Sequence, residues 1–112
     1  MNYKIIAVDF DGTLCENRWP KIGKPNMELI EYLIEEQRIG SRVILWTCRS
    51  GSELHEAILW CERHGLRFDG VNCNMPDAID MFGGSDPRKI FAHEYIDDRM
   101  CGKFKLPFKK GE

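Results

Sequence analysis

Residues 5–8, Ile-Ile-Ala-Val, are apolar without a break, and so are residues 43–46, Val-Ile-Leu-Trp. A strand with one wet face alternates polar and apolar residues. An unbroken run is instead buried on both faces, as in a parallel sheet covered on either side by helices. The sequence between and after the runs supplies such helices. Asn26 stands where it can cap a helix in which Met27, Ile30, Leu33 and Ile34 recur at helical spacing, with Gly40 as the stop. After the turn RSGS, Leu54, Ala57, Ile58 and Cys61 form the apolar stripe of a second helix that Gly65 ends. Leu66, Phe68 and Val71 predict a short strand near residues 67–72, and Tyr95 and Ile96 a brief last one.

The segments left over read as connections. CENRWPKIGKP holds two prolines and a glycine and predicts a loop. NCNMPDAIDMFGGSDP predicts mostly loop, with Asp86 capping a short helix from Pro87. The tail KFKLPFKKGE is basic and is expected on the surface. Trp46, inside an apolar run, is expected in the core, and Trp60 on a helix surface or a subunit contact. The alternation of strands and helices predicts an α/β chain: a Rossmann-like three-layer α/β/α sandwich with a mainly parallel central sheet, one domain over residues 1–112. Neither the stretch from Thr13 to the first helix nor that from Gly65 to Arg88 approaches the roughly 50 residues of a small domain, so no cap domain is expected.

Composition excludes several classes. A net charge of −2 over 112 residues gives no strong attraction to nucleic acid or to an anionic membrane. No apolar run nears the roughly 18 residues of a membrane span, and the N-terminus lacks the basic and long apolar regions of a secretory leader. The five cysteines are odd in number and form no CxxC, which argues against a zinc site or a disulfide framework and for reduced thiols in the cytoplasm.

The chemistry sits where the apolar runs end. Asp9 and Asp11 follow the first, Thr47 the second, and Asp97–Asp98 the last. Parallel α/β sheets gather their ligands at the carboxyl ends of the strands. Residues two apart on a strand share a side, so Asp9 and Asp11 are expected to face one pocket while Phe10 turns into packing. Gly12 then permits a sharp turn. Several carboxylates in one place repel and raise one another's pKa; a bound cation relieves this, and oxygen ligands with room for water suit Mg²⁺. An EF-hand is excluded, because Gly12 falls at the wrong position for its loop.

VDFDGT, then ILWT, then Lys89 within SDPRKIFAHEYIDDR, then YIDDR itself, resemble in order the four motifs of the haloacid dehalogenase superfamily, over residues 5–99. The resemblance implies a capless phosphatase-like member working through an aspartyl-phosphate. Asp9 would be the nucleophile and Asp11 the general acid and base. Thr47 would bind a phosphoryl oxygen and Lys89 would neutralise charge, with Lys103 and Lys105 as competitors for that role. Mg²⁺ would be held by the Asp9 carboxylate, the Asp11 carbonyl and the acidic pair, Asp98 directly and Asp97 in support. Gly12 and Thr13, after Asp11, and Cys48 and Arg49, after Thr47, are candidate substrate contacts.

Arg18, Trp19, Lys21, Lys24, Asn72 and Asn74 are further residues placed to face a substrate; Trp19 either stacks a base or sugar or covers the core beside Pro20. The expected activity is hydrolysis of a small phosphorylated metabolite, a sugar phosphate or nucleotide, with the oligomeric state left open between monomer and homo-oligomer. The alternatives are a phosphotransferase with the same chemistry and a non-catalytic, receiver-like signalling module. Receiver domains carry their acidic pair at the first strand, however, and here the adjacent pair comes last.

Overall fold

In the computed structural model, which describes residues 1–101, Ile5–Val8 form β1, and all four residues are buried. A short antiparallel hairpin follows, β2 (Cys15–Arg18) and β3 (Lys21–Pro25). Then come α1 (Met27–Arg38), β4 (Arg42–Leu45), α2 (Gly51–Arg63), β5 (Gly70–Val71), α3 (Pro76–Met81) and β6 (Glu94–Ile96). The central sheet has the order β5-β4-β1-β6, and all of its pairs are parallel.

This order explains both the layers and the place of the site. The chain moves outward from β1 to β4 to β5, then returns to add β6 on the other side of β1. Right-handed crossovers place α1 and α2 on one face and the returning connection on the other. The packing agrees. Leu29, Ile30 and Leu33 of α1 and Ala57 and Cys61 of α2 are buried with Ile6, Val8, Val43 and Leu45 on one face. Met75 and Ile90 cover Ile5, Ala7 and Ile44 on the opposite face. The reversal falls between β1 and β6, and such a reversal opens a crevice at the carboxyl ends of the two strands.

The expected helices form for the expected reasons. The Asn26 side chain accepts the Leu29 N–H at 3.3 Å, and Arg38 stands in the last turn of α1. Each of the three apolar side chains that α1 buries contributes about 1.5–3 kcal/mol. Leu29 takes the inward place that the spacing gives to Met27, which is exposed.

Five expectations are corrected. The segment 15–25 is a hairpin rather than a loop. Residues 76–81 form α3, with Pro76 in its first turn. No helix starts at Pro87; the Asp86 carboxylate instead accepts both the backbone and the amide N–H of Asn74, at 3.2 and 2.9 Å. Trp46 lies one residue beyond the end of β4 and is 38% exposed, tilted against Tyr95 with ring centroids 5.9 Å apart. Trp60 packs inward, edge-on to Phe10 at 5.6 Å. The basic tail, with Lys103 and Lys105, lies outside the described residues. All five cysteines are free, and among the described residues no helix is long and apolar enough to cross a membrane.

Candidate active site

Register builds the site. Val8 pairs with Leu45 on one side and Ile96 on the other, so Asp9 and Asp97 occupy the next rung of neighbouring strands. The Asp9 N–H donates to the Ile96 carbonyl at 3.0 Å and fixes that rung. Carboxylate oxygens of Asp9, Asp97 and Asp98 then lie within 4.8 Å of one another. Burial pushes Asp9 up to about 6, and the Asp97 and Asp98 carboxylates push the same way against a stabilising Phe10 N–H.

Gly12 and Thr13 pack against this cluster. Gly12 has φ +85°, and a Cβ there would collide with the Asp98 carboxylate. Thr13 is buried; its hydroxyl accepts the Asp98 N–H at 3.0 Å and has Asp9 Oδ2 and Asp98 Oδ1 at 3.3 and 3.4 Å for its single hydrogen. Three converging carboxylates, with no histidine or cysteine in the cluster among the described residues, match a hard cation that keeps some of its water, which is the behaviour of Mg²⁺. The Asp11 side chain is not part of the cluster.

Asp11 faces Arg49. The guanidinium donates to both carboxylate oxygens at 2.8 Å, from Nε and from Nη2. Its remaining donors reach the Glu53 and Lys21 carbonyls, each at 3.2 Å, and the rings of Phe10 and Trp19 lie 4.9 Å away. Arg49 is 2% exposed and joins the Asp11 turn, the hairpin and α2. The Asp11 hydrogen bond holds its pKa above the usual arginine value.

A cavity of about 220 Å³ opens over the carboxylates, lined by Asp9, Asp11, Asn17, Thr47, Cys48, Asp97 and Arg99. A second, of about 300 Å³, shares Asp11, Asn17, Cys48 and Arg99 with it and adds Trp19 and Arg49. Thr47 is where the sequence places it; Asn72, at φ +52°, accepts its N–H at 2.8 Å, and its hydroxyl accepts the Arg49 N–H at 3.1 Å. Trp19 is 55% exposed and so does not cover the core.

Lys89 lines a different cavity, with Phe82, Pro87, Phe91, Ala92 and Tyr95, and its Nζ lies 5.9 Å from the Tyr95 ring centroid. Asn74 is buried and holds the segment 86–91 through Asp86, Pro87, Lys89 and Phe91. Of the basic candidates in the hairpin, Arg18 is near Glu16, Lys21 offers its carbonyl to Arg49, and Lys24 lines a cavity on the Gly12–Thr13 side. Asn17 and Arg99 are site residues that the sequence reading does not name. Arg99 had a signal, since it directly follows the acidic pair; Asn17 had none without the hairpin.

These features define an α/β chain with an acidic centre at the switch point of a parallel sheet. No family model matches the sequence, and no curated protein matches it. Among solved structures, a conserved protein coded by a locus of Bacteroides thetaiotaomicron is similar at 41% identity, with a TM-score of 0.81 over 94% of this chain and 84% of that one. The chain belongs to the family of that conserved protein.

Proposed function

We propose that this chain is a Mg²⁺-dependent phosphomonoester hydrolase of the haloacid dehalogenase type, acting in the cytoplasm on a small phosphorylated metabolite. The observation that carries the reading is the convergence of Asp9, Asp97 and Asp98 at the crevice between β1 and β6, with Thr47 lining the same cavity. A bound Mg²⁺, held by these carboxylates, would offset their charge and that of the phosphoryl oxygens.

The Asp9 carboxylate attacks phosphorus, the bond to the leaving oxygen breaks, and an aspartyl-phosphate remains. Asp11 gives a proton to the leaving oxygen. It then takes one from a water that attacks phosphorus, which returns Asp9 and releases inorganic phosphate. Asp11 is paired with Arg49, so these proton transfers require that pair to open. The Thr47 hydroxyl donates to a phosphoryl oxygen. The two cavities, of about 220 and 300 Å³, share lining residues and each lies at or below the small end for ligand sites, which favours a sugar phosphate or mononucleotide over a macromolecule.

Hydrolysis of an aryl phosphate with Mg²⁺ and with chelator tests the reading. Turnover is expected to vanish with chelator and to fall about 10⁴-fold or more in Asp9→Asn, with a large loss also in Asp11→Asn. A Mg²⁺-loaded protein that turns over no phosphomonoester in a broad panel would sink it.

A further inference from the structure

A phosphomonoester dianion entering the inner cavity meets Asp9, Asp11 and Asp97, and among the described residues one cationic side chain lines that cavity, Arg99. Arg49 is close by but committed: buried, bidentate to Asp11 and bonded to two carbonyls. Lys89, the lysine that the sequence resemblance nominates, lines a separate aromatic cavity.

We propose that Arg99 is the catalytic cation that grips the transferring phosphoryl group, in the role the resemblance gives to Lys89; this rests on the phosphatase reading above. Three features support it. The Arg99 N–H donates to Asp97 Oδ1 at 2.9 Å, so the backbone of the arginine is anchored to a carboxylate of the acidic cluster. Its guanidinium makes no hydrogen bond or ion pair to a described residue, so it engages an anion without giving up a partner. It also lines both cavities, and so stands where the phosphoryl and leaving groups meet. A guanidinium presents two parallel N–H donors to two phosphoryl oxygens, which an ammonium does not. Charge compensation of this kind supplies most of the catalysis of phosphoryl transfer.

The test compares wild type, Arg99→Ala, Arg99→Lys and Lys89→Ala, by kcat/KM on an aryl phosphate and by calorimetric binding of inorganic phosphate, both with Mg²⁺. Arg99→Ala is expected to lose about 10²-fold in kcat/KM, and phosphate affinity falls with it. Arg99→Lys recovers part of the loss. Added guanidinium ion restores rate to Arg99→Ala and to no other variant, which a purely structural role would not produce.

Wild-type behaviour of Arg99→Ala in both assays overturns the proposal, as does transfer of the loss to Lys89→Ala. If wild type hydrolyses the ester or binds phosphate while Arg99→Ala does so equally, Arg99 alone is at fault. If wild type does neither, the phosphatase reading falls and this inference with it.

Discussion

Asp9 and Asp11 stand two residues apart and occupy opposite electrostatic settings. Asp11 is neutralised from within the chain, by a buried guanidinium each of whose three nitrogens finds an acceptor. Asp9 faces Asp97 and Asp98 with no cationic side chain bonded to it among the described residues, and burial raises its pKa to about 6. The first arrangement has its counter-charge within the fold; the second has the form that, on the reading proposed above, a cation from solution would complete. A sequence motif with two like residues thus yields one carboxylate with a counter-charge from the chain and one without, and the difference lies in what the rest of the chain brings to each.

The largest effect is expected from breaking the satisfied side. Arg49→Ala leaves Asp11 without its ion pair and cuts the ties to Lys21 and Glu53, at a cost of about 3–5 kcal/mol in urea unfolding. A double variant, Arg49→Met with Asp11→Leu, should recover much of this, because a volume-matched apolar pair escapes the desolvation cost. If Arg49→Ala unfolds like wild type, the pair is not the anchor described.

Gly12→Ala probes the support of the other side. A Cβ at φ +85°, driven into the Asp98 carboxylate, should cost about 1–3 kcal/mol and weaken Mg²⁺ binding measured by titration calorimetry. Unchanged Mg²⁺ affinity would mean that Asp98 does not need that packing to serve as a ligand.

Asp9→Asn should do the reverse and stabilise the metal-free protein. The folded state keeps the Asp9 proton up to about pH 6, whereas the unfolded chain releases it near pH 4. Stability is therefore lost as pH rises from about 4 to 6, and stays lost above. At pH 7.5 the neutral amide should gain about 1–2 kcal/mol, with solvent screening in the open cavity allowed for, and below pH 4 the gain should vanish. Thermal melts across that window, without and with Mg²⁺, check this; Mg²⁺ should reverse the ranking by stabilising wild type alone.

The smallest effect is expected at Trp19. Trp19→Ala gives up an exposed cation–π contact with Arg49, worth about 0.5–1 kcal/mol. A larger loss would show that the indole helps to hold the buried pair.

The sheet, the two long helices and the positions of Asp9, Thr47 and Asp97–Asp98 were legible in the sequence, because unbroken apolar runs and helical spacing report burial directly. The hairpin was not. Three of the four residues of β2 are exposed and β3 buries none, so no apolar alternation marks them, while two prolines and a glycine signal a loop. The six residues of α3 are too few to establish a period. Asp86 has the right chemistry for a helix cap, but Asn74, far from it in sequence, claims its carboxylate. The ties of Arg49 were hidden for the same reason: its partners come from three elements, and the chain order does not show that they meet.

The bonds from Arg49 to the hairpin and to α2 end on the carbonyl oxygens of Lys21 and Glu53, which every amino acid possesses. Residues 21 and 53 can therefore change identity without loosening those bonds. The hairpin beside the cavity is in this sense an exchangeable module on a fixed mount, where a library of side chains can be tried for new ligands while the carboxylate centre beneath stays as it is.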